Sequence, residues 1–428
     1  MKKLLIASAA LAMVAGTAQA QSSVTVYGSL DLGMNSVDYK NINGLTGAAN
    51  QASLKGINAA DNSAAGALTS QRIGFRGTED LGGGLKANFN YELGFAGNIN
   101  GDTVNTSTAA TAGNAYAGSA ATGSTTAVNG TKAGDGALQT RTQRVGLESS
   151  KLGRLDVGYG LTGLFATVTG HSPLPGNNFY GDVAYTSDST TANRLNSGTD
   201  SRINAGAVRM SGVQYTTPSV NGLSAVVDYG SNAQKFDDGS TNNAKAESMG
   251  LTVRYNAGKL GLAATTHKLK SDNSTNFFSA TIGGANAAAQ VTNTVTTTDF
   301  MALSARYNVT STLVLNALYA ENKAKSSVTG VQSAKNDVTQ VGATYTMGKT
   351  QFVGQYGEGE GESTAGAGRR DRKGYQVGAI YNLSKRSNVY ALYGSQEAKY
   401  IDAASGSGAV AGTTEKVSGY VVGVRHSF

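Results

Sequence analysis

The chain has 428 residues, with 57 Gly, 3 Pro, 20 Tyr, no Trp and no Cys. An exported chain without Cys has no disulfide framework, and a zinc site would have to be built without thiolates. The net charge of +7 at pH 7 falls to +5 once Lys2 and Lys3 are set aside, too small an excess to point to a nucleic-acid partner.

Residues 1–20, "MKKLLIASAALAMVAGTAQA", combine a basic start, an apolar run and a small-residue site at Ala18-Gln19-Ala20. This reads as a secretory signal peptide, with Gln21 opening a single mature domain, 21–428. Its apolar run is too short for a membrane helix, and no later segment approaches the ~18 apolar residues such a helix needs.

From there the period is that of strands. Candidates in chain order are 24–35, 71–77, 85–97, 140–150, 154–159, 207–217, 223–230 and 248–255. They continue with 260–269, 300–307, 313–321, 337–345, 351–357, 373–381, 388–395 and 416–428. That makes about sixteen, most near the ~9–11 residues of a tilted membrane strand, and no convincing amphipathic helix interrupts them. Short turns such as "NAGK", "TMGK" and "NLSKRS" alternate with long Gly/Ser/Thr/Asn/Ala-rich stretches at 37–69, 98–138, 161–206, 231–247, 270–298, 322–336, 358–372 and 396–415. Short turn, long loop, repeated, is the rhythm of an up-and-down barrel with two unlike rims.

Each strand has an oily face and a polar one. In "SQRIGFRGTEDLGGGLKANFNYELGFAG", starting at Ser70, Ile73 and Phe75 alternate with Arg72 and Arg76. After the turn, Leu85, Ala87, Phe89, Tyr91, Leu93 and Phe95 alternate with Lys86, Asn88, Asn90 and Glu92. A soluble sandwich buries the oily face; a membrane barrel turns it to lipid and encloses the charges in a wet lumen. Lipid-facing Arg would cost roughly 2–4 kcal/mol at mid-membrane, so the charged face goes inward. Alternation puts Arg72, Arg76, Arg144, Arg254, Arg306 and Arg425 on that face, and Arg141 and Arg209 on the opposite parity. A Gly-associated bulge or a subunit contact would each account for the latter pair. Tyr215, Tyr229, Tyr255, Tyr307, Tyr345, Tyr381 and Tyr393 fall at strand ends, as in an interfacial aromatic girdle.

Three stretches carry a resemblance: "SSVTVYGSLDLGMN", "RIGFRGTEDLGGGLKANFNYELG" and the closing "GYVVGVRHSF". They resemble the general-diffusion porins of Gram-negative outer membranes, nearest the beta-proteobacterial branch of Burkholderia and Neisseria relatives. The likeness covers the whole mature chain, with the long loops matching only in position. It implies an all-β, transmembrane antiparallel barrel of about sixteen strands, a homotrimer in the outer membrane, and a third loop folded into the lumen. That loop should begin near Gly160, and its "SPLPGNNFYGD", with Pro173, Pro175 and Phe179 after His171, resembles the family's Pro-Glu-Phe-Gly-Gly tip without the Glu. Asp182 is then the remaining acid near the eyelet. Opposite, the family sets a basic wall. Arg72 and Arg76 match its first positions, Arg141 or Arg144 the next, and Arg202 or Arg209 a later one; Tyr159 replaces a further Arg. Phe428 resembles the signal read by the barrel assembly machinery. The implied partners are outer-membrane lipid, lipopolysaccharide, and small ions and solutes.

Guanidinium groups facing few acids in a narrow lumen favour anions. The bland alternative is that they pair with Glu92, Glu148 or Asp156 and stiffen the wall. No cofactor is implied, and the three His (His171, His267, His426) lack metal-ligand spacing. The acids of "GEGEGES" (Glu358, Glu360, Glu362) read as a solvated loop tip that could instead hold a cation, and "GRRDRK" as a basic run on the same loop, paired with those acids or with lipid phosphates. Other functions remain: a substrate-selective channel of the same fold, a barrel hydrolase using a Ser with His267, or an adhesin displaying its long loops.

Overall fold

The computed structural model describes residues 23–42, 45–47, 49–59, 68–94, 104–106, 139–176, 179–184, 209–234, 244–272, 296–326, 330–363, 368–402 and 411–428. Residues 1–20 lie outside them. The first half contains β1 (Ser23–Ile42), β2 (Ala49–Ala59), β3 (Arg72–Gly82), β4 (Leu85–Gly94), β5 (Val104–Thr106), β6 (Gln139–Ser149), β7 (Gly153–Leu161), a helix α1 (Gly163–Gly170), β8 (Arg209–Thr216) and β9 (Leu223–Gln234). There follow β10 (Ala244–Ala257), β11 (Leu260–Asp272), β12 (Thr296–Asn308), β13 (Leu313–Ser326), β14 (Gln332–Met347), β15 (Thr350–Ser363), β16 (Gly368–Asn382), β17 (Ser387–Tyr400) and β18 (Thr414–Ser427).

All 18 strands belong to one sheet. Sixteen form a closed antiparallel ring, with β2 and β5 outside it. The seam closes at β1, which pairs with β3 over Ser23–Ser29 and with β18 from Ser29 to Ile42. The chain end completes it: Phe428 and Gly28 exchange backbone hydrogen bonds of 3.1 and 3.2 Å. Closure leaves no strand edge in the ring, the condition for a sheet to sit in hydrocarbon.

The faces sort as alternation requires. Met249, Leu251, Val253 and Tyr255 are exposed on the outside of β10, and Met301, Leu303 and Tyr307 on β12, with no described residue covering them. Such a continuous apolar exterior fits lipid and not water. All seven girdle Tyr are exposed outward. Tyr215, Tyr255, Tyr307, Tyr345 and Tyr381 lie at the short-turn ends, while Tyr229 and Tyr393, expected at strand ends, lie at mid-strand.

The strands outrun the sequence reading. β2 and β5 occupy stretches taken as loops, because β1 continues past β3 and offers its free edge to β2. The stretch taken as the loop 358–372 is mostly hairpin. Glu358, Glu360 and Glu362 lie outward on β15 opposite Lys373, Asp371 and Arg369 of β16, and Arg369 pairs with Glu360 at 2.9 Å and Asp371 at 3.3 Å. They are therefore a strand face and not a loop tip: cross-strand charge pairs sustain strand where composition alone suggested coil. Helix α1, eight residues long, was not foreseen, since its signal is too short for any periodicity.

Candidate functional site

One side of the inner wall carries a basic row on β3, β6 and β7. Arg72 is held by Thr69, its Nη2 donating to Thr69 Oγ1, and its Nη1 stands 3.8 Å from Glu92 Oε1. Arg76 lies over the Tyr27 ring, 5.0 Å from its centroid, a cation–π placement. Tyr27 donates its hydroxyl to Asn90 Oδ1 at 2.9 Å and Glu92 Oε2 at 3.0 Å. Arg144 donates to Gln214 Oε1 at 2.6 Å and to the Leu161 carbonyl at 2.9 Å. Arg154 pairs with Asp156 at 2.8 Å and stands 3.9 Å from Glu148. Glu92 ties Arg72 and Arg141, whereas Arg76 and Arg144 lean on uncharged groups.

Arg141 resolves the parity question. In the β4–β6 ladder Glu92 faces Thr142 while Leu93 faces Thr140, so Arg141 is the extra residue of a bulge. The bulge swings its side chain inward, where Nε donates to Glu92 Oε1 at 2.8 Å; no Gly is involved. Arg209 keeps the outward parity at the start of β8, and its Nε donates to the Arg141 carbonyl at 2.9 Å. Arg202 lies outside the described residues.

The opposite arc of the wall is covered by residues 162–176 and 179–184. Thr162 caps α1, accepting from Phe165 N–H at 3.3 Å, and Asp228 of β9 accepts from Gly163 N–H at 2.7 Å, an acid at a helix N-terminus. Leu164, Val168, Val183 and Ala184 pack on the inward residues Phe300, Ala302, Leu318, Ala320 and Val338. Leu174 and Phe179 pack with Val353, Ile380, Tyr390, Leu392 and Val421. Polar ties follow the same course. His171 Nδ1 meets Ser304 Oγ at 2.7 Å, Ser172 Oγ donates to Gln355 at 3.0 Å, and Gln376 Nε2 donates to the Phe179 and Tyr180 carbonyls at 2.6 and 2.9 Å. Pro173 lies against Gly342 of β14 and Pro175 is exposed. Asp182 departs from its expected place: it is only 2% exposed, and its Oδ1 accepts from Ala184 N–H at 3.1 Å. It stabilises a turn against the wall and does not present a charge to the lumen.

Sequence reasoning missed Asp228, Thr265 and Gln376 as anchors of this segment. The available signal was parity: inward positions are charged on β3 to β7, whereas Phe300, Ala302, Leu318, Ala320, Val338, Val353 and Gln376 on β12 to β16 are inward apolar or amide positions that need a partner to pack against. His267, the candidate hydrolase base, sets Nε2 2.7 Å from Ser248 Oγ. At 1% and 2% exposure, neither residue is open to a substrate. Among the described residues no group of three His, Cys, Asp or Glu could hold a metal ion.

A closed sixteen-stranded ring with an apolar exterior and a charged, partly lined interior defines a transmembrane β-barrel channel. The Gram-negative porin family model matches residues 7–400, and the chain belongs to that family. An outer membrane porin protein of Bordetella pertussis is 27% identical over 467 residues, and one of Delftia acidovorans 30% identical over 442, with both chains covered in full in each case. An anion-selective porin from Comamonas acidovorans has a TM-score of 0.62 at 22% identity, covering 95% of this chain and all of that one. The trimer form of OmpT from Vibrio cholerae has a TM-score of 0.57 at 15% identity over 95% of this chain and 99% of its own. This protein is an outer-membrane channel and not an enzyme.

Proposed function

We propose that the channel passes small hydrophilic solutes passively and favours anions. The observation that carries this is the convergence of Arg72, Arg76, Arg141 and Arg144 on one arc of the inner wall, with Glu92 the acid that ties two of them. Arg remains charged at any working pH, so this arc holds net positive potential, and residues 162–176 and 179–184 opposite it narrow the path as part of the constriction loop. The anion selectivity of the Comamonas acidovorans porin, a protein of like fold, supports the reading.

The same reading takes residues 1–20 as the export signal, Phe428 as the mark for the assembly machinery and the trimer as the working form. It turns the short-turn rim to the periplasm and sets the outward Lys and Arg of the long-loop ends beside lipid and lipopolysaccharide phosphates. The test is the zero-current potential of the purified protein in a planar bilayer under a KCl gradient. A sign showing that chloride carries most current supports the proposal; a potassium sign overturns it.

A further inference from the structure

Arg254 on β10 and Arg306 on β12 flank β11 from either side. Opposite them β11 carries only Ala263 and Gly261. The two outer strands lie two spacings apart, ~10 Å, and nothing on β11 fills the gap between the guanidinium stems. His171 reaches this notch from the lining segment. Its Nε2 lies 3.2 Å and Asn256 Oδ1 3.0 Å from where a Cβ on Gly261 would stand. The ring is fixed by its Nδ1 contact with Ser304 at 2.7 Å. With the Ser304 hydroxyl donating to Nδ1, Nε2 carries a proton to offer the notch.

Neither Arg254 nor Arg306 has an ion-pair or hydrogen-bond partner among the described residues, unlike Arg72, Arg141 and Arg154. Asp228 acts on Arg254 at a distance, but its carboxylate is engaged by Gly163 N–H at 2.7 Å and Gln214 Nε2 at 2.6 Å. Burial, then Arg306 and Arg254, hold the His171 imidazole below its usual pKa, so both guanidinium groups act on that ring. Round the ring, β11 stands almost opposite β3. Arg254 and Arg306 also lie within a few residues of strand ends Ala257 and Asn308, whereas Arg72 opens an 11-residue strand that runs to its short turn. The notch therefore stands across the lumen from Arg72 and nearer the short-turn mouth than Arg72 does.

We propose that Arg254, Arg306 and His171 form a second anion site, selective for a doubly charged oxyanion such as phosphate or a short dicarboxylate. It rests on the reading of the lumen as an anion path. Two planar forks with no acid of their own match paired oxygens and two charges better than a single chloride. A solute leaving the Arg72 arc would be received here before the mouth.

The test is KCl current through the full-length protein in planar bilayers, titrated separately with inorganic phosphate and with succinate. Saturable inhibition in the wild type is expected, with half-saturation raised about tenfold or more in R254Q/R306Q, and with the chloride sign of the zero-current potential retained. Inhibition by one probe only identifies which oxyanion the site takes. Arg306 is exposed, so R306Q alone serves where the double variant does not assemble, and it too must raise half-saturation. Equal titrations in variant and wild type, or no saturation in a chloride-selective wild type, overturn the second site alone. A potassium-selective wild type overturns the anion path with it.

Discussion

Glu92 is the acid that ties Arg72 and Arg141, and replacing it with Gln changes one charge at almost constant shape. Its Oε1 lies 2.8 Å from Arg141 Nε and 3.8 Å from Arg72 Nη1, with side chains 12% exposed for Glu92 and 9% for Arg141. For an ion passing ~7 Å away in a water-filled lumen, one unit charge is worth ~0.6 kcal/mol, halved to ~0.3 kcal/mol by screening near 0.1 M salt. Anion and cation feel opposite signs, so E92Q should raise the chloride-to-potassium permeability ratio about threefold. The ratio is read from the zero-current potential under a fixed KCl gradient, and the gain should shrink towards nothing near 1 M salt as the Debye length contracts to ~3 Å. An unchanged or lowered ratio at 0.1 M would refute the claim that this arc sets selectivity.

Three further outcomes follow from the anchors. D228A removes the acceptor of Gly163 N–H and Gln214 Nε2, at about 1–3 kcal/mol for buried donors left unpaired; open-channel current noise should rise, and an unaltered noise spectrum would count against the tether. An Ala at Gly394 would set its methyl onto the Tyr180 carbonyl oxygen. In G394A the segment is pushed off the wall and single-channel conductance should fall, whereas wild-type conductance would contradict this contact. Deleting Phe428 removes both backbone bonds to Gly28 and should lower the heat-modifiable, folded fraction recovered in outer membranes. Recovery at wild-type level would dismiss the residue as an assembly mark.

Strand existence, barrel closure and the inward placement of most Arg were determined by the sequence itself. A period of two with oil on one parity and charge on the other admits few arrangements once no helix or second sheet is present to cover the oil. Strand ends were less legible. Gly-Glu-Gly-Glu reads as coil locally and becomes strand only through cross-strand partners such as Arg369. Arg141 shows the limit most directly, because its parity is outward in the sequence and a single unpaired residue in the β4–β6 ladder reverses it. Asp182 was misread for a related reason, since its burial depends on where residues 179–184 lie against the far wall. The notch between Arg254 and Arg306 likewise needs three strands in register and a His more than eighty residues upstream of Arg254. Alternation is a local property, set by backbone geometry that each strand carries alone. Which side chains meet across the lumen depends on ladder register and on the segment packed inside, and those are fixed only when the ring closes.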